Sequence, residues 1–393
     1  MIEKVSKKTK KILPIINLPA RLFFHVPKEV RRIDYRNLKE ILVIFYAGIG
    51  DAIMNLPFLT ILKKNCPKAR ITLVCSKGGS EIVNKTHLVD RVEVVDLTLT
   101  RQIRDLSKKI RQITNSLKKI NDTKYDIAIE PRGDIRCIYF MHWCNAVRKV
   151  SYNYTGGESM LTDVVIPSEK TTHLIEDQLY LLKWLGISYS SADAVPTLEL
   201  IKDDLRKNLK FLNENRILNK TIIGIHPGAS WETKRWKYYA ELVQKIGEIC
   251  DEAHFLVFKA RGEGATADEV YSSIKSHGLN GQIVSESVSD YIRIIQVCNL
   301  MICNDSGSAH ISAAYGIPTV VLFGPFEPSY CKPIGKKGVY TISHNLACKP
   351  CMSRNCKTSG NECLNGITVD EVLGTVEMAL MCEASIRVKT VNQ

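Results

Sequence analysis

Residues 41–45, Ile41-Leu42-Val43-Ile44-Phe45, contain no polar position. A strand with one face in water would alternate, so an unbroken apolar run of this length predicts a parallel strand covered on both faces. Further strands are predicted at 69–75, near 91–96 and at 125–129. Between them the apolar positions fall at helical spacing. Ile53, Leu56, Leu59, Ile61 and Leu62 predict a helix over 52–64 that stops before Pro67, followed by a short helix at 80–84 and a lysine-rich surface helix at 103–120. Strands alternating with helices imply a doubly wound parallel sheet. A second series starts beyond the small, polar stretch 186–193. It runs helix 203–213, strand 221–226, helix 237–248, strand 254–258, helix 267–276, strand 282–284 and helix 289–297, then a strand, turn, helix and strand over 302–323. A last helix is expected over 372–381, after the good start Thr368-Val369-Asp370-Glu371. At roughly 100 to 200 residues per domain, 393 residues suit two domains. The chain therefore divides into an extension at 1–40, an N-terminal Rossmann-like domain at 41–190 and a C-terminal one at 191–393.

Composition adds charge to this outline. The apolar share of 45% with 24% charged residues is that of a globular protein, and no apolar run reaches the roughly 18 to 20 residues that cross a bilayer. The net charge of +13 is uneven: residues 1–39 hold eleven Lys or Arg against three acids. Ile12, Leu13, Ile15, Ile16, Leu22, Phe23 and Phe24 are interleaved with those cations, as in segments that lie on anionic lipid. Docking on a membrane surface and a solubilising extension both fit this pattern. Pro14 and Pro19 interrupt the apolar part and argue against a secretory signal. Nucleic acid is not expected as a partner, because the cations gather in an extension instead of along a groove. Most of the thirteen cysteines stand in apolar contexts, which suits a reducing cytosol. Cys348, Cys351, Cys356 and Cys363 differ by forming one C-x2-C-x4-C-x6-C cluster.

Candidate chemistry lies where strands end. After the first strand, Gly48 and Gly50 permit close backbone approach and Asp51 stands where loop becomes helix; the alternative is that Asp51 is merely an N-cap. The dinucleotide fingerprint is incomplete, with Ile53 at its third glycine. After 221–226 come Ser230, Thr233, Lys234 and Arg235, groups suited to a diphosphate; alternatively the cations are solvated while Trp231 and Trp236 cover the core. After residue 304, Asp305-Ser306-Gly307-Ser308-Ala309-His310 opens a short helix, whose unpaired N–H groups and dipole favour a phosphate.

Taken together, Gly50-Asp51 with Pro57, Leu62-Lys63 and Pro67-x-Ala69-x-Ile71, Pro227-Gly228 with Lys234-Arg235-Trp236, Asp305-Ser306-Gly307-x-x-His310 with Ala313-Ala314 and Gly316-x-Pro318, and Gly324-Pro325 resemble glycosyltransferase family 9, the ADP-heptose:lipopolysaccharide heptosyltransferases. The resemblance covers about residues 41–380. It implies an α/β GT-B fold, two Rossmann-like doubly wound domains facing a central cleft, with a C-terminal helix packing back on the first. It implies inverting transfer of heptose from an ADP-linked donor to a lipid-linked lipopolysaccharide core, with no cofactor and no metal, on the cytoplasmic face of the inner membrane. Asp51 matches the general base, with Gly48 and Gly50 in the loop near the acceptor. Ser230, Lys234, Ser306 and Gly307 match diphosphate positions, and Asp305 and His310 match contacts to the sugar-diphosphate. Glu263 matches a ribose ligand, although its turn, Lys259-Ala260-Arg261-Gly262-Glu263, departs from the family pattern. The absence of Asp-x-Asp agrees with a metal-independent mechanism. The cysteine cluster is read as reduced thiols, with a zinc site and disulfides as alternatives. Transfer of another nucleotide-linked sugar to a different cell-surface glycan, or a non-catalytic nucleotide-sugar-binding module, are the rival functions.

Overall fold

The computed structural model describes residues 33–98, 103–168, 170–199, 201–260, 262–358 and 360–391. Residues 1–32, which carry most of the basic extension and its membrane-surface reading, lie outside the described residues. The chain forms two compact units, divided between Ala194 and Val195. Among the described residues no helix is long and apolar enough to cross a membrane.

The first unit is built on strands β1 (Glu40–Phe45), β2 (Arg70–Cys75), β3 (Arg91–Val94), β4 (Tyr125–Glu130), β5 (Ala146–Tyr152) and β6 (Asp163–Val165). All pair in parallel, in the order β3-β2-β1-β4-β5-β6. Ile41 to Ile44 have no exposed surface, as an uninterrupted apolar strand requires at the centre of a doubly wound sheet. The helix expected over 52–64 is instead two, Ile49–Met54 and Leu56–Asn65. Pro57 has no N–H to donate to Ile53, so the first helix stops at Met54 and the proline sits in the first turn of the next. The pattern also passed over Ile135–His142, β5, β6 and Leu174–Trp184. Strand β5 is hard to read because it carries Arg148 in its interior, and that buried guanidinium is neutralised by Asp163 of β6 through a hydrogen bond of 2.7 Å.

The second unit repeats the plan with β7 (Thr221–His226), β8 (Ala253–Phe258), β9 (Asn280–Val284), β10 (Leu300–Asn304), β11 (Thr319–Phe323) and β12 (Val339–Ser343). These are again parallel, in the order β12-β11-β10-β7-β8-β9. Its core joins Ile223, Ile225, Phe255, Val257, Ile302 and Val320 to Trp236, Leu242, Val243 and Ile246. Trp236 is fully buried, as the structural alternative for it supposed, and its indole N–H donates to the Ile367 carbonyl at 2.9 Å. The helix Val369–Val391, longer than expected, buries Val369, Val372, Val376 and Ala379 against the helix Tyr239–Ile249 and β11.

In each sheet the strand order reverses beside the first strand: β1 lies between β2 and β4, and β7 between β8 and β10. Loops diverge at such a switch point, leaving a crevice beyond the carboxyl ends of the strands. The loops after β1 and β4, and after β7 and β10, are therefore where ligands are sought.

Candidate functional site

In the first unit Gly48, not Asp51, is the N-cap of Ile49–Met54. Asp51 is the third residue of that helix, in the first turn, where the dipole favours a carboxylate. Its Oδ1 lies 3.1 Å from Arg132 Nη1, and both side chains remain about a third exposed, at 30% and 29%. A Cβ on Gly48 would stand 3.8 Å from Asp51 Oδ2, so glycine there keeps that oxygen uncovered. Gly50 occupies the second position of the same helix. Arg132 follows the carboxyl end of β4, with its guanidinium 5.8 Å from the Phe45 ring. The turn that carries it is organised by Glu130, a buried residue at the end of β4. The Glu130 carboxylate accepts the backbone N–H groups of Arg132 at 3.2 Å, Gly133 at 2.5 Å and Asp134 at 3.2 Å, and the Ser151 hydroxyl at 2.6 Å. Burial outweighs these donors and, with Asp134 nearby, pushes the Glu130 carboxyl up to about 7. An ionisable carboxylate held by a cation on one oxygen and open on the other can receive a proton from a bound hydroxyl.

In the second unit Lys234 Nζ lies 2.6 Å from Asp305 Oδ2, and both side chains are largely buried. This pair joins the loop after β7 to the end of β10. Lys234 also stands 4.6 Å from the Phe326 ring and 5.8 Å from the Trp231 ring. Trp231 is thus not a core residue, against the structural alternative that paired it with Trp236. Ser230, on the same loop, is exposed. Ser306 is the N-cap residue of Gly307–Ala314 but makes no side-chain cap bond. Its hydroxyl turns instead to His226 Nδ1 at 3.2 Å, to which the Ser308 hydroxyl is also drawn at 3.0 Å. No side chain therefore caps the first N–H groups of this helix, which is the arrangement that receives anions. His310 is buried on the same helix.

His226 ends β7 and holds Glu263, which follows β8, through Nε2 and Oε2 at 2.9 Å. Burial alone would raise the Glu263 carboxyl, but the hydrogen bond and charge of His226 outweigh it and hold the group below the usual carboxylate range. Tyr291 completes the set, its hydroxyl 2.6 Å from the Ser308 hydroxyl and its ring edge-on to His226 at 6.0 Å. Asn304, the buried last residue of β10, pins the β7 loop from below. It donates to the Pro227 carbonyl at 2.8 Å and accepts the Trp236 N–H at 3.2 Å.

The structure thus gathers Lys234, Asp305, Ser306 and Gly307 at one switch point, ties Glu263 to them through His226, and sets Asp51 at the other. Glu130, Arg132, His226, Tyr291 and Asn304 were missed. Glu130-Pro131-Arg132-Gly133 did carry a signal, being a charged turn at the carboxyl end of a predicted strand. Cys348 and Cys351 are exposed, Cys356 is partly so and Cys363 is buried; all four are free thiols. Among the described residues no group of three or more His, Cys, Asp or Glu is arranged to hold a metal ion.

The model of glycosyltransferase family 9 (heptosyltransferase) matches residues 113–361, more than half of the chain. Lipooligosaccharide heptosyltransferase 2 of Campylobacter jejuni is 30% identical over 172 residues, 42% of this chain and 53% of that protein, so the chain spans about half the length of that relative. Lipooligosaccharide heptosyltransferase 2 of Haemophilus ducreyi is 24% identical over 364 residues, 87% of this chain and 100% of that protein. Among solved structures, ADP-heptose lps heptosyltransferase II of Escherichia coli superposes with a TM-score of 0.70 at 19% identity, covering 88% of this chain and 99% of that one. That likeness is one of fold, the expected α/β GT-B class with its two Rossmann-like doubly wound domains. The chain belongs to glycosyltransferase family 9.

Proposed function

We propose that this chain is a glycosyltransferase that moves heptose from ADP-heptose to the sugar core of a lipopolysaccharide, with inversion at the anomeric carbon and without a metal ion. The observation that carries this reading is the set of polar groups at the two switch points: an accessible, cation-held carboxylate in one unit and an anion cradle beside a buried Lys–Asp pair in the other. The printed names of the similar proteins supply the sugar and the lipid.

The second unit takes the donor. Lys234, Ser230 and the N–H groups at Ser306 and Gly307 receive the diphosphate, Asp305 and His310 contact the sugar-diphosphate, and Glu263 takes the ribose. The first unit supplies the base. As the acceptor oxygen bonds to the anomeric carbon, its proton passes to Asp51. The bond from that carbon to the diphosphate oxygen breaks, and its electron pair leaves with ADP. ADP gains a negative charge in this step, so the fixed donors of the cradle contribute most in the transition state. The lipid-linked acceptor places the enzyme at the cytoplasmic face of a membrane, where a basic segment at 1–39 would meet anionic lipid.

The test measures ADP release from ADP-heptose with a core acceptor. Asp51→Asn should lower kcat by about 10² to 10⁴ while ADP affinity stays unchanged; full turnover by this variant would remove Asp51 as the base. EDTA should not slow the reaction, and NMR of the product should show the anomeric configuration opposite to that of the donor. Consumption of a different nucleotide sugar in place of ADP-heptose would overturn the substrate assignment.

A further inference from the structure

The cysteine-rich loop has no role in the mechanism above, yet the structure ties it to the donor loop. Thr233, the neighbour of Lys234, donates its hydroxyl to the Ser353 carbonyl at 2.8 Å, and the Met352 N–H donates to the Pro325 carbonyl at 3.2 Å. Met352 itself adopts a left-handed backbone (φ 47), which is uncommon for its side chain and marks a sharp turn in the loop. Just beyond the turn, Arg354 lies over the face of Trp231, its guanidinium carbon 5.2 Å from the ring centroid. Trp231 packs on Phe326 with centroids 5.3 Å apart, and Lys234 approaches both rings. One aromatic pair therefore carries two cations, one from each loop.

Their charges are not equivalent. Lys234 is paired with Asp305 at 2.6 Å, and Arg235 with Glu232 at 3.0 Å, so these two cations of the β7 loop already face carboxylates. A diphosphate arriving there meets positive charge that is largely offset. Arg354 is exposed, and among the described residues no carboxylate stands within ion-pair distance of it. Stacking on an indole fixes the plane of a guanidinium and leaves its N–H edge available for bidentate bonds to phosphate oxygens.

We infer that Arg354 is a donor-binding residue, which takes the diphosphate of the nucleotide sugar from the side opposite the helix Gly307–Ala314, and that the C-x2-C-x4-C-x6-C loop serves to present it. This rests on the donor assignment proposed above for the second unit. Thr233, Pro325 and Trp231 hold the loop beside the donor loop.

Calorimetric titration of the full chain with ADP and with adenosine separates the possibilities. Arg354→Gln should weaken ADP about 10-fold, the size expected for a hydrogen bond to a charged group, and leave adenosine within about twofold. Arg354→Lys should recover only part of the loss, since it keeps the charge but not the stacked fork. The ADP affinity of the wild type should also fall more steeply with salt than that of Arg354→Gln, a difference that a merely structural arginine would not produce. If the wild type binds ADP and Arg354→Gln binds it equally well, the inference is overturned and the donor site stands. If the wild type binds no ADP, the donor assignment fails and takes the inference with it.

Discussion

A methyl group added at Gly228 should act on the site more than on the fold. Gly228 stands two residues beyond β7, and a Cβ there would stand 1.9 Å from Glu263 Oε2, 2.4 Å from its Cδ and 3.1 Å from its Cβ. The backbone of Gly228 is outside the left-handed region, so the position calls for glycine on grounds of space alone. The loop cannot easily retreat, because Asn304 Nδ2 holds the Pro227 carbonyl at 2.8 Å and the Gly228 carbonyl at 3.3 Å. Glu263 must therefore leave His226 or be overpacked against the new methyl. Losing a hydrogen bond to a charged group costs about 1.5 to 3 kcal/mol, and overpacking a filled site costs about 1 to 3 kcal/mol. These are alternatives, not additive terms, so Gly228→Ala should destabilise by roughly 2 kcal/mol. Urea denaturation of the wild type, both single variants and the double variant tests the argument as a cycle. With Glu263→Ala already present, only the 3.1 Å Cβ contact remains, so Gly228→Ala should cost roughly half as much, and the coupling should be about 1 kcal/mol. Equal costs of Gly228→Ala in both backgrounds would refute the proposed collision. ADP affinity should fall in Gly228→Ala to the level of Glu263→Ala and no further in the double variant.

Lys234→Met should leave Asp305 buried without its cation, costing on the order of 3 kcal/mol at neutral pH; a melting temperature equal to the wild type's would contradict this. Glu130 ionises near 7 when folded against 4.5 for an ordinary glutamate, so between those values the folded protein holds a proton that the unfolded chain has released. Stability must then fall as pH rises through that window, by on the order of 3 kcal/mol. Glu130→Gln should flatten the slope, and an unchanged slope in urea titrations from pH 5 to 7 would show that another group sets it. Hydrogen bonds centred on Thr358 hold the Cys356 thiol below the usual range, whereas burial pushes Cys298 and Cys303 far above it. A short iodoacetamide pulse read by mass spectrometry should label Cys356 first and spare those two; early labelling of Cys298 or Cys303 would contradict the burial argument.

The strands read most directly from the sequence are those with long apolar runs. β1 from Ile41 and β11 from Val320 onward are buried on both faces, and a run without polar residues has no other stable place. β5 and β12 escaped for opposite reasons. Arg148 makes β5 look like surface until β6 is known to bring Asp163 beside it, and β12 is an edge strand whose five residues are all partly exposed. The break at Asn55 was hidden because Ile53 and Leu56 keep the same helical face on either side of it, and only the missing N–H of Pro57 betrays the interruption.

At the site, sequence motifs supplied Asp51, Lys234 and Asp305 more readily than their pairings. In the first unit the acid follows β1 and the cation follows β4; in the second the cation follows β7 and the acid follows β10. β1 pairs with β4 and β7 with β10 in parallel. Strands neighbouring in this way lie about 4.8 Å apart, so loops leaving their carboxyl ends must run side by side, and opposite charges there can reach each other without long side chains. The two ion pairs are thus consequences of strand order, with the polarity reversed between units. Strand order is set by where the chain turns back across its sheet, which hydrophobic periodicity does not encode. Asp305 could be found without it because its own segment carries a dense motif. Arg132 carried only the weaker signal of a charged turn, because its meaning lies in standing beside the loop of Asp51, and His226 beside Glu263 and Arg354 over Trp231 depend on their neighbours in the same way.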